Sequence, residues 1–149
     1  MRMEPDVPWN SEGPLPLRFV IYIPLAEEPS GRCALHREVL EEVQGILARR
    51  FGGVTSYPAT GLFMRSSGRC EEEKVQVLES FCQREAWREN QQFLHVLAGA
   101  VGAILQQESI ACQVDGRMHL IDPDRRFEDR SRIGSLEEMI EGFLQSWPQ

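Results

Sequence analysis

The sequence is short of positive charge. It has sixteen Lys and Arg against twenty-three Asp and Glu, which gives a formal net charge of −7. The electrostatic field of an acidic protein repels phosphate backbones and anionic lipid surfaces. The composition therefore argues against a nucleic-acid partner.

Long apolar runs and a secretory leader are also absent. The most apolar stretches, residues 19–25 and 93–105, are shorter than the roughly 18–20 residues that a membrane-spanning helix needs. The first sixteen residues carry acids and prolines where a leader would have a basic start and an apolar middle. We therefore expect no membrane association and a cytoplasmic location.

The four cysteines form no closely spaced pair of the kind that marks a zinc site or a redox motif. Cys33 and His36 could place a thiol and an imidazole on one face of a helix start. Because no second ligand pair accompanies them, a solvated helix start is the favoured interpretation. The sequence predicts reduced thiols, no resident metal and no cofactor.

What the sequence does contain is enough for one core: 149 residues, of which 42% are hydrophobic and 26% charged. Hydrophobic spacing predicts five strands and three helices. In order, these are a strand at 17–25, a helix at 35–51, strands at 54–65 and 73–81, a helix at 85–107, two short strands around 115–116, and a helix from 135.

Local signals set several boundaries. Gly52 should cap the first helix, and Pro58 with Gly61 should interrupt or bulge the second strand. Asp115-Gly116 is a strong signal for a two-residue hairpin turn. The small side chains of residues 98–103 indicate that the second helix closely approaches another backbone.

The predicted organisation has four parts. Residues 1–16 form an extended arm, 17–121 the α+β domain, 122–134 a linker and 135–149 an amphipathic helix. Ser135 and Glu138 make a capping box at the start of this last helix. Its apolar face carries Met139, Phe143 and Trp147, which we predict as an interaction surface.

The order strand, helix, strand, strand, helix, strand is that of the ferredoxin-like βαββαβ fold with an antiparallel sheet. The segments RRFGGVTSYPATGLF, GRCEEEKVQVL and LQQESIA resemble small uncharacterised bacterial proteins of this fold over about residues 19–114. The resemblance implies architecture and no assigned reaction. The hairpin strand after Asp115-Gly116 and the C-terminal helix look like additions.

Three residues are weak candidates for acid-base chemistry, namely Glu73, His95 and His36. Each has an alternative interpretation: Glu73 as part of a solvated strand edge, His95 as a partly buried, satisfied histidine, and His36 as part of the solvated helix start. His119 is predicted to face solvent or an interface.

A group of arginines offers a weak candidate for anion binding. Arg50 and Arg65, with Arg49 and Arg69, could gather near the end of the first helix and the following hairpin, or could be dispersed. Gly52-Gly53 is not a phosphate loop, because it follows a helix where such a loop must precede one.

The first strand is apolar on both faces, while a ferredoxin-like sheet has helices on one face only. A second subunit or the C-terminal helix must cover the other face, and we predict a homodimer. The expected function is a dimeric small-molecule-binding or regulatory, protein-interaction module. The alternatives are a small enzyme with an acid-base site in the open-sheet cleft, and a structural role in which Met139, Phe143 and Trp147 stay exposed.

Overall fold

The computed structural model describes residues 15–26, 32–128 and 134–146. Within these residues the chain has five strands, three α-helices and one 3-10 turn. The elements are β1 (Leu17–Pro24), α1 (Cys33–Phe51), β2 (Thr55–Met64), β3 (Cys70–Cys82), α2 (Arg84–Ile104), β4 (Ile110–Val114), β5 (Arg117–Ile121), a 3-10 turn (Arg125–Phe127) and α3 (Leu136–Gln145). Most of the predicted arm, residues 1–14, lies outside the described residues.

The five strands form one sheet in the order β2-β3-β1-β4-β5, and every neighbouring pair is antiparallel. The α+β class is thus confirmed. Each of the connections β1-α1-β2 and β3-α2-β4 passes over one intervening strand. β1 lies at the centre of the sheet because both of its faces are apolar.

The two faces of the sheet are covered differently. The face that carries Phe19, Ile21 and Leu78 packs against α1 and α2, and we call it the helix face. The opposite face has a smaller cluster around Val20 and Val77, and we call it the open face. Within the described residues no helix packs on the open face.

β2 is a continuous strand, so the predicted interruption is wrong. Pro58 pairs in register with Gln76, and Gly61 pairs with Glu73. β2 is an edge strand, where the missing N–H of proline can point away from the ladder at no cost in hydrogen bonds. The Phe63 ring lies over Gly61 and fills the space that its missing side chain leaves.

The turn and cap predictions are confirmed. Gly52 ends α1 with a φ of 85°, a conformation that glycine adopts without steric cost. Asp115 and Gly116 both have positive φ, 51° and 80°, as a type I′ hairpin turn requires. α2 ends at Ile104, earlier than predicted, because Gln106 turns to a φ of 55° and breaks the helix.

The small residues of α2 do meet another backbone, as predicted. Gly99 accepts a hydrogen bond of 2.9 Å from the backbone N–H of Asp124. A Cβ on Gly99 would lie 3.2 Å from the Asp124 Cβ, and a Cβ on Gly102 would lie 3.4 Å from the Pro123 Cα. The segment after β5 therefore crosses α2 at this point, and Phe127 is buried just beyond it.

α3 docks on its own domain. Leu136 and Ile140 are fully buried, and the Ser135 hydroxyl accepts a hydrogen bond of 3.2 Å from the Glu138 backbone N–H. The helix contacts α1 and α2, so it lies on the helix face. It is not the element that covers the open face.

No helix in the described part of the chain is both long enough and apolar enough to span a bilayer.

Enlarging Gly99 should destabilise the fold, because the Asp122–Asp124 backbone occupies the space. We expect Gly99→Leu to lower the free energy of unfolding by about 2 kcal/mol, measured by denaturant titration. Gly142→Ala on α3 is the control: nothing lies within 4 Å of its new Cβ, so a gain of up to about 1 kcal/mol is expected. A Gly99→Leu protein as stable as the wild type would contradict the close approach.

Candidate ligand-binding site

A cavity of about 650 Å³ lies on the helix face, between α2 and the β4-β5 hairpin. Two helices, each about 10 Å wide, cover about four strands spaced about 4.8 Å apart. The fifth strand, β5, is the edge strand next to β4, and α2 contacts it as well. β5 contributes His119 and Ile121 to one wall of the cavity.

The floor of the cavity is apolar. It includes Phe19 from β1, Cys112 and Val114 from β4, and Ile121 from β5. The Phe19 ring lies 5.8 Å from the Trp87 ring, centroid to centroid. Burial raises the pKa of the Cys112 thiol to about 12, so this thiol stays protonated and serves as an apolar surface.

The rim is polar and is supplied mainly by α2. Arg88, Gln91, Gln92 and His95 line the cavity and are exposed, and His119 from β5 lies opposite. The α2 residues have the spacing i, i+3, i+4, i+7, which places them on one side of a helix. Among the described residues, none of these five side chains has a hydrogen-bond or ion-pair partner.

The cavity brings together His95 and His119, whose proximity could not be predicted from the sequence. His95 is exposed on the rim, so the interpretation of a partly buried, satisfied histidine is wrong. The reason is that α2 turns its apolar stripe toward the sheet, and His95 lies beside that stripe at the cavity mouth. His119 is exposed, as predicted, and faces the same cavity.

His36 lies elsewhere and is buried, so the predicted solvated helix start is wrong at this residue. Its Nδ1 is 2.6 Å from the Pro24 carbonyl oxygen, because the first turn of α1 packs against the end of β1. The Cys33 thiol is 3.7 Å from the Ala26 carbonyl oxygen. In the described ranges no three His, Cys, Asp or Glu side chains come together in a way that could hold a metal ion.

Glu73 lies on the open face, since it shares that face with Val75 and Val77 along β3. Partial burial raises the pKa of its carboxyl; Arg65 opposes this shift, and Glu71 adds to it. The sheet therefore separates Glu73 from His95 and His36. The three acid-base candidates do not converge on one site.

The arginine candidates are dispersed. Arg50 donates to Glu137 at 3.0 Å and to Asn90 at 2.9 Å, also binds Glu141, and lies 3.5 Å above the Phe93 ring. Arg65 donates to Glu71 at 2.8 Å. The length of β2 separates the two arginines.

Two of the predicted interaction residues pack within the domain. Met139 and Phe143 are partly buried against the core, and the Phe143 ring meets the Phe127 ring at 5.6 Å, edge to face. They do not form the exposed stripe that the structural-role alternative requires. Trp147 lies outside the described residues.

Sequence reasoning missed most of the cavity residues, among them Phe19, Trp87, Arg88, Gln91, Cys112 and Val114. The available signal was the polar stripe at positions 88, 91, 92 and 95 of α2. Any solvated helix face has the same pattern. The pattern therefore indicates a site only when β5 is known to lie opposite this face of α2.

No family model matches the chain, and no curated protein matches it. Two solved structures of a phage SAM lyase are similar to it. The lyase in complex with S-methyl-5'-thioadenosine is 13% identical with a TM-score of 0.47, covering 71% of this chain and 87% of that chain. The lyase in the apo state is 15% identical with a TM-score of 0.44, covering 72% and 88%. These values support no conclusion about a site or an activity.

The docking of α3 should depend on pH through Glu137. Partial burial alone would raise the pKa of this carboxyl, but hydrogen bonds from Arg49 and Arg50 outweigh burial and lower it. Because the pKa of Glu137 is lower in the folded chain than in the unfolded chain, its carboxylate stabilises the fold at pH values above the ordinary pKa of about 4.3. This contribution disappears as the pH falls through the folded-state pKa.

We expect Glu137→Gln to lower the free energy of unfolding by about 1 kcal/mol at pH 7. The difference from the wild type should shrink as the pH falls below the ordinary carboxyl pKa of about 4.3, and it should disappear once the pH is below the lowered pKa of folded Glu137. Denaturant titration across this pH range measures both effects. Glu138→Gln, at an exposed neighbouring position, is the matched control, and equal losses in the two variants would contradict the role of the arginine pairs.

Proposed function

We propose that this protein is a small-molecule-binding module and that the cavity between α2 and the β4-β5 hairpin is its binding site. The observation that carries the proposal is the combination of a volume of about 650 Å³ with an apolar floor and a rim of unpartnered polar side chains among the described residues. Ligand sites in proteins typically have about 300–1,000 Å³, an apolar lining and a few polar groups that orient the ligand.

The proposal extends to the fold. The strand order β2-β3-β1-β4 with antiparallel pairing supports a ferredoxin-like domain, with β5 and α3 as additions. The resemblance to small bacterial proteins stays a prediction. On this interpretation the binding site is peculiar to the extended form of the fold, because β5 supplies one of its walls.

Binding is favoured over catalysis by what surrounds the two imidazoles. A histidine that acts as a base usually has a carboxylate or carbonyl partner that fixes its tautomer. Among the described residues, neither His95 nor His119 has such a partner. The open-sheet enzyme alternative retains Glu73 alone, since His36 and His95 lie across the sheet.

The proposal also includes a cytoplasmic homodimer that pairs through the open face. The four cysteines are free, in keeping with a reducing compartment. Large apolar side chains remain exposed across the open face: Tyr57 41%, Phe63 40%, Phe81 45%, Met118 53% and Leu120 66%. A second copy would cover them, and it would leave the cavity on the opposite face accessible.

Filling the cavity should abolish binding of an apolar probe. N-phenyl-1-naphthylamine, a neutral fluorescent amine, should bind the wild-type protein, and Val114→Phe should weaken binding at least tenfold because the new ring occupies the floor. Thr60→Phe, on exposed edge strand β2 and outside the cavity, should leave binding unchanged. Fluorescence titration gives the affinities, and thermal unfolding shows whether each variant is folded. Equal binding by the wild type and a folded Val114→Phe would overturn the proposed site.

A charge on the open face should separate the subunits. Leu120→Glu places a carboxylate among the exposed apolar side chains of the open face, and we expect at least a tenfold weaker dimer by sedimentation equilibrium. Leu62→Glu is the control, because Leu62 is similarly exposed, 70% against 66% for Leu120, but points to the other side of the sheet. A monomeric wild type, or equal effects of the two variants, would rule out pairing through this face.

A further inference from the structure

The charge of the cavity differs in sign from that of the protein. The whole chain has a formal net charge of −7, yet none of the described residues that line the cavity is Asp or Glu. Arg88 lies on the rim, and Arg117 lies on the same face of the sheet, directly opposite Val114 in the strand register. The mouth of the cavity is therefore a local cationic region on an acidic protein.

Among the described residues, Arg88 takes no part in the ion pairs that hold the fold together. Arg18 pairs with Glu79, Arg65 with Glu71, and Arg126 with Asp124. These carboxylates neutralise the guanidinium groups, and the pairs hold strands and turns together. No carboxylate in the described part of the chain pairs with Arg88, so its five N–H donors face the cavity mouth without a protein acceptor.

The other polar groups of the rim are also able to donate. Gln91 and Gln92 each carry an amide NH₂, and His95 and His119 each carry at least one ring N–H. Arg88, Gln91 and His95 follow one another along the same side of α2. Next to them, Trp87 lies against Phe19, with ring centroids 5.8 Å apart, and forms the apolar end of the site.

From this arrangement we infer that the ligand is a small anionic molecule with a flat apolar body. The body lies on the Phe19, Trp87 and Val114 surface, and its carboxylate, sulfonate or phosphate group binds Arg88, with Gln91 and His95 as further donors. A planar guanidinium suits such an anion, because it can donate two parallel hydrogen bonds. The inference rests on the proposed function, since it names the ligand class of the same cavity.

A pair of probes that differ in one charged group tests the inference. 8-Anilinonaphthalene-1-sulfonate has the same ring system as N-phenyl-1-naphthylamine and adds a sulfonate. We expect the sulfonate to bind the wild-type protein about tenfold more tightly than the neutral amine, the effect of a hydrogen bond to a charged group. Fluorescence titration of both probes in the same buffer gives the ratio.

Arg88→Gln should remove this preference. Affinity for the sulfonate should fall about tenfold, and affinity for the neutral amine should change less than twofold. Arg84→Gln is the matched control, because it removes the same charge from the same helix at an exposed residue outside the cavity. It should leave both affinities within twofold of the wild type.

The outcomes separate the inference from the proposal on which it rests. If both probes bind with equal affinity and Val114→Phe blocks them, the cavity is a binding site but the anionic ligand class is wrong. If Arg88→Gln and Arg84→Gln weaken the sulfonate equally, the effect is one of overall charge and the inference also fails. If neither probe binds, or Val114→Phe blocks neither, the proposed site and the inference fail together.

Discussion

The structure depends on one strand that must be buried on both sides. β1 places Phe19, Ile21 and Ile23 on the helix face and Val20 on the open face, and all four are at most 3% exposed. A strand of this kind is stable only at the centre of a sheet with neighbours on both edges. β3 and β4 supply these neighbours, and the two helices that follow β1 and β3 then cover the helix face.

The position of β1 also explains where the cavity forms. α1 and α2 cover the strands around β1, and β5 follows at the edge of the sheet, where α2 also contacts it. The segment after β5 crosses back over α2 at Gly99 and Gly102, where an added Cβ would lie 3.2 Å from the Asp124 Cβ and 3.4 Å from the Pro123 Cα. The cavity lies beside this crossing, between α2 and the β4-β5 hairpin.

The sequence predicts elements well where the signal is local. The glycine cap at Gly52, the Asp115-Gly116 turn and the Ser135 cap depend on residues within one turn of the chain, and all three are confirmed. The predicted interruption at Pro58 is wrong, because the effect of a proline depends on whether its strand lies at the edge of the sheet. That position is a property of the whole sheet and not of the local sequence. The cavity could not be predicted for the same reason: its two walls, α2 and β5, are adjacent only after the strands are ordered.

Two arginines show why the functional interpretation needs the structure. The sequence makes Arg50 a candidate for anion binding, as part of a basic group. In the fold it is surrounded by Glu137, Glu141, Asn90 and Phe93. The sequence does not indicate Arg88 as a candidate, because it is one of many polar residues on the solvated side of α2. The packing of α3 places Glu137 and Glu141 beside Arg50 and neutralises its charge. Arg88 lies instead on the rim of the apolar cavity between α2 and β5. A cation is available for a ligand when the fold supplies no partner for it, and that depends on contacts between elements distant in sequence.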